Sequence, residues 1–168
     1  MCYQLVVVSA LTLSEMRSML PSGVRADALG TLQLAAWRPR FRGAQTAAHL
    51  RVGRCACRLV PGRFRGAHSE EAELRARYRR LAVPREVMIA ALDRHRRGAF
   101  DGEIVPADTL HAYVAEHARN AGPALYALGF GAADEVPGVP AEVRERTLAE
   151  TRDGDDWLEE DVAVRVTR

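Results

Sequence analysis

The sequence predicts an α+β fold: a mainly antiparallel sheet of about five strands with three to four helices packed on one face. Three observations lead there. Apolar, β-branched runs stand near both ends of the chain, "YQLVVVSA" at 3–10 and "VAVRV" at 162–166. Helical periodicities cluster between them, and the composition, 48% hydrophobic and 27% charged over 168 residues, is that of a globular protein. A chain of this length is read as one domain, residues 1–168, able to bury roughly 70% of the surface its unfolded form exposes.

Each element has its own signal. The first strand is apolar at consecutive positions and so is expected to be buried on both faces. It runs into "LTLSEM", where Thr12 and Glu15 have capping-box spacing and Leu11 and Met16 are placed as the staple, giving a short helix to about Leu20. Pro21 and Gly23 end it. "TLQLAAW" alternates Leu32, Leu34 and Ala36 against Thr31, Gln33 and Trp37, the period of a half-buried strand. The following strand carries two cysteines and changes parity between Val52 and Cys55, which predicts a bulge near Gly53. Ser69 is placed to cap a helix through "EEAELRARYRRL" with Leu74, Tyr78 and Leu81 on one stripe. Pro84 opens a second helix that turns Val87, Met88, Ala91 and Leu92 inward and stops at Gly98. Asp108 begins a third, which ends at Gly122; "ALYALGF" reads as a central strand and 162–166 as the last.

The charge pattern is uneven along the chain. All 24 basic residues are arginine, the formal net charge is +2, and Arg51–Arg97 holds thirteen arginines against five acids while Asp134–Asp161 holds eleven acids against three arginines. Clustered arginine can track phosphates, so Arg51–Arg97 is a candidate surface for nucleic acid or an acidic protein partner. Mutual neutralisation of the two stretches across the fold is the plainer expectation. The opening "MCYQLVVVSALTL" lacks the positive region of a signal peptide, and its apolar run is too short for a membrane span, so the expected setting is the cytoplasm with no membrane attachment.

Chemistry is concentrated in three cysteines. Cys2 follows Met1, and Cys55 and Cys57 lie one residue apart in "GRCACRLV". In a reducing compartment such thiols are free, metal-bound or reactive rather than a disulfide framework. In an extended strand Cys55 and Cys57 point to one face about 6.5–7 Å apart, and a first strand lying alongside brings Cys2 to them. Cys2, Cys55 and Cys57 are therefore the candidate metal ligands, for zinc or another transition metal, with His49 or His68 nearest to supply a fourth ligand. Burial of Cys55 and Cys57 as small apolar residues is the bland alternative. Cys2 also admits an N-terminal nucleophile, as in hydrolases and amidotransferases that use their own α-amine as base, once Met1 is removed. His95, His111 and His117 read as surface or capping residues, and "DGDDWLEED" as an acidic turn anchored by Trp157 without calcium-loop spacing. No catalytic set is legible, so enzymatic activity stays open.

The Met-Cys-Tyr start, the Cys-x-Cys segment near residue 55, "ALYALGFGAADEVP" and "DWLEEDVAVRV" together resemble a family of small bacterial proteins of unknown function that begin Met-Cys-Tyr and carry Gly-Cys-Gly-Cys-Gly. The likeness runs end to end and is distinctive only at the cysteines. Arg54, Ala56 and Arg58 stand where that family has glycines, which favours an extended strand over a tight thiolate-presenting turn. The resemblance implies the placement of Cys2, Cys55 and Cys57 and no activity.

Overall fold

The computed structural model describes residues 2–53, 55–60, 75, 78–90, 92, 105–106, 108–131, 136–152 and 156–168, with only the backbone of Cys2. The expected helices over 69–81 and 84–98 therefore fall partly outside the described residues, as do Ser69, Leu74, Ala91 and Gly98.

Six strands form one mixed sheet: β1 (Cys2–Ser9), β2 (Arg25–Ala28), β3 (Thr46–Arg51), β4 (Ala124–Gly131), β5 (Glu142–Thr147) and β6 (Val162–Thr167). Their order across the sheet is β2-β3-β1-β4-β6-β5. All neighbours are antiparallel except β5 and β6, which run parallel. β1 is interior because Leu5, Val6, Val7 and Val8 are all apolar and all fully buried, a placement that requires cover on both faces. Burying each such side chain contributes about 1.5–3 kcal/mol.

Register fixes which residues share a layer. Leu5 stands opposite Leu50 on β3 and Leu128 on β4, and Ala26 and Val164 continue the same layer outward. Helix α1 (Leu13–Ser18) brings Met16 onto that face, and α3 (Thr109–Ala121) brings Leu110, Tyr113 and Val114. The capping box of α1 forms as the sequence implies: Thr12 and Glu15 each bond the other's backbone N–H.

The expectation of helices on one face is corrected by α2 (Thr31–Trp37), which covers the other. The segment expected as a strand is a helix whose Leu34 and Trp37, three apart, pack with Val6, Val8, Ala47 and Leu125. Its alternation is incidental: Leu32 is 87% exposed. Gly30 precedes the helix, and its N–H donates to Gln33 Oε1 at 2.6 Å, while Leu, Gln and Ala are all good helix formers. Two strands carry no usable pattern. β2 has four residues, and β5 reads Glu-Val-Arg-Glu-Arg-Thr at the sheet edge, with a 3₁₀ turn, Leu148–Thr151, after it.

Residues 78–80 and 85–90 are helical, and the Met88 N–H donates to the Pro84 carbonyl at 3.0 Å, so Pro84 does open a helix. Both stripes are corrected in part: in the second helix Leu92 is buried and Met88 half-buried but Val87 is exposed, and Leu81, expected on the stripe of the first, is 63% exposed. No described helix is long and apolar enough to cross a membrane.

Gly129 of β4 shows how closely the second face is packed. A Cβ there would lie 2.7 Å from the Cβ of Pro137. Gly129→Ala is expected to lower stability by about 1–3 kcal/mol, measured by urea unfolding, whereas Gly138→Ala, which meets nothing within 4 Å, should change it far less.

Candidate functional site: the thiol-bearing end of β1

The β1–β3 register runs only as far as Leu5 opposite Leu50, and β3 stops at Arg51, one residue short of facing Tyr3. The chain turns at Gly53, whose φ of 66° is the left-handed conformation that glycine adopts without strain. The Val52 N–H donates to the Cys55 carbonyl at 3.0 Å and closes the turn. Beyond it the segment 55–57 takes the place that β3 vacates. The Ala56 N–H donates to the Tyr3 carbonyl at 2.9 Å, and the Tyr3 N–H donates to Cys57 Sγ at 3.3 Å. Ala56, Leu59 and Val60 then anchor the segment in the core. The strand with a bulge expected here is thus a reversing turn joined to β1 by one carbonyl and one sulfur.

This geometry brings two of the three cysteine positions together. Cys2 directly precedes Tyr3, and its Cα lies about 2.4 Å from the Tyr3 nitrogen, so Cys57 Sγ is within about 6 Å of the Cys2 Cα. Cys57 is 8% exposed and Cys55 is half-buried. His49 does not join them. Its Cα pairs with Val6, four residues along β1 from Cys2 and about 13 Å away, so it is not the fourth ligand. His68 lies outside the described residues, and among the described residues no group of three His, Cys, Asp or Glu side chains is disposed to hold a metal ion. Met1, whose loss the N-terminal nucleophile requires, also lies outside them.

Around the site, the Tyr3 ring leans on Phe130 with centroids 5.0 Å apart, and its hydroxyl donates to Glu160 Oε1 at 3.1 Å. Phe130 is 47% exposed, so the sheet end presents an aromatic shoulder beside Tyr3. Chemically, an N–H aimed at sulfur favours negative charge there, as wanted for a nucleophile or a metal ligand.

A second polar contact is not foreshadowed by the sequence. His117, expected at the surface, is fully buried, and its Nε2 lies 2.7 Å from Ser9 Oγ at the other end of β1. The Leu11 N–H donates to Ser9 Oγ at 2.9 Å, so the hydroxyl links the imidazole to the backbone just beyond β1. Nδ1 faces the Gly122 carbonyl without a well-formed hydrogen bond. Burial holds His117 below the ordinary histidine range, hence neutral. Its spacing from Leu110, Tyr113 and Val114 places it on the apolar stripe of α3, a signal that its polarity obscures. With both side chains sealed from solvent, the pair joins α3 to β1. His49 is likewise held low, by burial and then by Arg51, whose Nε contacts Asp27 Oδ2 in an ion pair off hydrogen-bond alignment. His111, by contrast, reaches Thr151. Trp157 does anchor its acidic turn, edge-on to Tyr126 at 5.5 Å.

The arginine-rich stretch lies largely outside the described residues. Within the acidic stretch Arg144 bonds Glu142 and Glu159, so part of that charge is neutralised locally.

Two measurements check this geometry. Ser9→Ala leaves the buried His117 Nε2 without its hydrogen-bond partner and should cost about 1–3 kcal/mol by urea unfolding. Because His117 and His49 bind protons more weakly folded than unfolded, their contribution is fully present above about pH 6.5 and falls as pH drops through the unfolded-state value. Stability should decline as pH falls below about 6.5, with a shallower slope in His117→Asn. Comparison with protein-family models, with curated proteins and with solved structures returned no match.

Proposed function

We propose that this chain is a cytoplasmic member of the small bacterial family it resembles, and that it uses Cys2, Cys55 and Cys57 as a thiolate site for zinc or another soft transition metal. The observation that carries the reading is the Tyr3 N–H bonded to Cys57 Sγ immediately beside Cys2. A metal-bound thiolate keeps its negative charge, and backbone donors to the sulfur are the outer-shell contacts that orient and tune such ligands. Contact between residues 54 apart in sequence, at the position next to another cysteine, favours a shared role over separate burial. Three sulfurs leave one tetrahedral position for water, a histidine or a bound molecule.

A second reading, a binding module for nucleic acid or an acidic protein partner, is favoured by residues 78–90, where Leu81, Val87 and Ile89 are exposed together with Arg79, Arg80 and Arg85. That mixture of apolar and cationic surface suits an acidic partner with an apolar face.

Elemental analysis of anaerobically purified protein, paired with a thiol count, tests the first reading. The expected result is near-stoichiometric zinc, iron or copper, thiols that titrate only after chelation, and loss of metal in Cys57→Ser and Cys55→Ser. Three freely titrating thiols in unfolded protein that never held metal would overturn it. Retention on an anionic matrix at low salt, lost on charge reversal of Arg79, Arg80 and Arg85, is the corresponding expectation for the second.

A further inference from the structure

We infer that Cys2 and Cys57 are also a thiol–disulfide exchange pair that reduces small disulfides, a reading that rests on the same convergence of thiols as the proposed metal site but needs no metal. The two positions differ in the way such a pair requires. Cys57 is buried, its sulfur fixed by the Tyr3 N–H at 3.3 Å, whereas Cys2 is the first residue of β1, opposite Gly131, the last of β4. We assign the attack on an external disulfide to this strand-end position, and a held sulfur lies within about 6 Å of the same Cα to resolve the product. Bonded half-cystines keep their Cα atoms about 4.4–6.8 Å apart, so a Cys57 sulfur within about 6 Å of the Cys2 Cα puts the two positions on the scale of one disulfide. Cys55 and Cys57 are instead constrained by successive hydrogen bonds of the 52–57 segment to β1 and to Val52.

The steps balance. The Cys2 thiolate attacks one sulfur of the small disulfide, forms a mixed disulfide and expels one thiolate, which takes up a proton. The Cys57 thiolate then attacks the Cys2 sulfur, forms the Cys2–Cys57 bond and expels the second thiolate. Two thiols are oxidised by two electrons, and one external disulfide is reduced to two thiols. The Tyr3 N–H stabilises the resolving sulfur while it is anionic. Bound metal blocks the reaction by occupying both sulfurs, so oxidation and metal loading exclude each other.

The test uses the full chain, reduced and stripped of metal by chelation, mixed with oxidised glutathione and followed by intact mass and peptide mapping. The expected product has lost the mass of two hydrogens, carries no glutathione and links peptides containing residues 2 and 57; Cys55→Ser gives the same product. Cys57→Ser should stop at a glutathione adduct on Cys2, and Cys2→Ser should lose most of the reaction. Should Cys57→Ser fail to fold, the peptide map of the unsubstituted chain decides alone. A Cys55–Cys57 link, a stable adduct on Cys55, or three thiols unchanged would overturn the inference. Because metal is absent throughout, such a failure leaves the metal reading to be decided separately, by elemental analysis of the protein as purified.

Discussion

A strand with no polar face has to be enclosed, and this constraint organises the molecule. Leu5 through Val8 present apolar side chains alternately to both sides of the sheet, so β1 needs a layer above, a layer below and a strand on each edge. α1 and α3 supply one layer, α2 and the residues after it the other, and β3 and β4 the edges. A sheet clothed on one side would leave Val6 and Val8 in water. The departure from the one-faced arrangement is therefore implied by the very run that makes β1 easy to find.

The same enclosure generates the candidate site. Backbone groups of an interior strand must be satisfied along its whole length, and β3 is too short to do so at Tyr3. The chain could have continued straight past Tyr3; instead it turns at Gly53 and returns with a donor from Ala56 for the Tyr3 carbonyl and a sulfur from Cys57 for the Tyr3 N–H. The thiol thus stands in for a carbonyl in the ladder. At the opposite end, Ser9 and His117 close the strand with a side-chain bond, so β1 is finished at both ends by groups of high chemical interest, one sealed and one beside an exposed aromatic.

What can be read from the chain follows from how local each signal is. β1, β4, β6 and the capping box of α1 are encoded within a few residues and stand where expected. α2 is easily mistaken for a strand because a seven-residue segment with Leu at 32 and 34 satisfies a period of two as well as a helical turn, and only Trp37 in the opposite core separates the readings. β2 and β5 owe their state to neighbours: four residues beside β3, and a charged segment beside β6. Of the site, the cysteine positions are visible in the sequence. The contact of Cys57 with the Tyr3 backbone is not, since it depends on where β3 ends, and the Ser9–His117 bond joins residues 108 apart.

The two outermost strands differ in kind from the interior. β2 spans only four residues, and β5 displays Glu142, Arg144, Glu145 and Arg146, with Arg144 and Arg165 tied into ion pairs along it. An unpaired strand edge invites a strand from another molecule; one too short to template pairing and one laced with alternating charge discourage it. A protein with so apolar a sheet interior is thereby guarded against growing sideways into aggregates, and association between copies is directed away from the margins of the sheet.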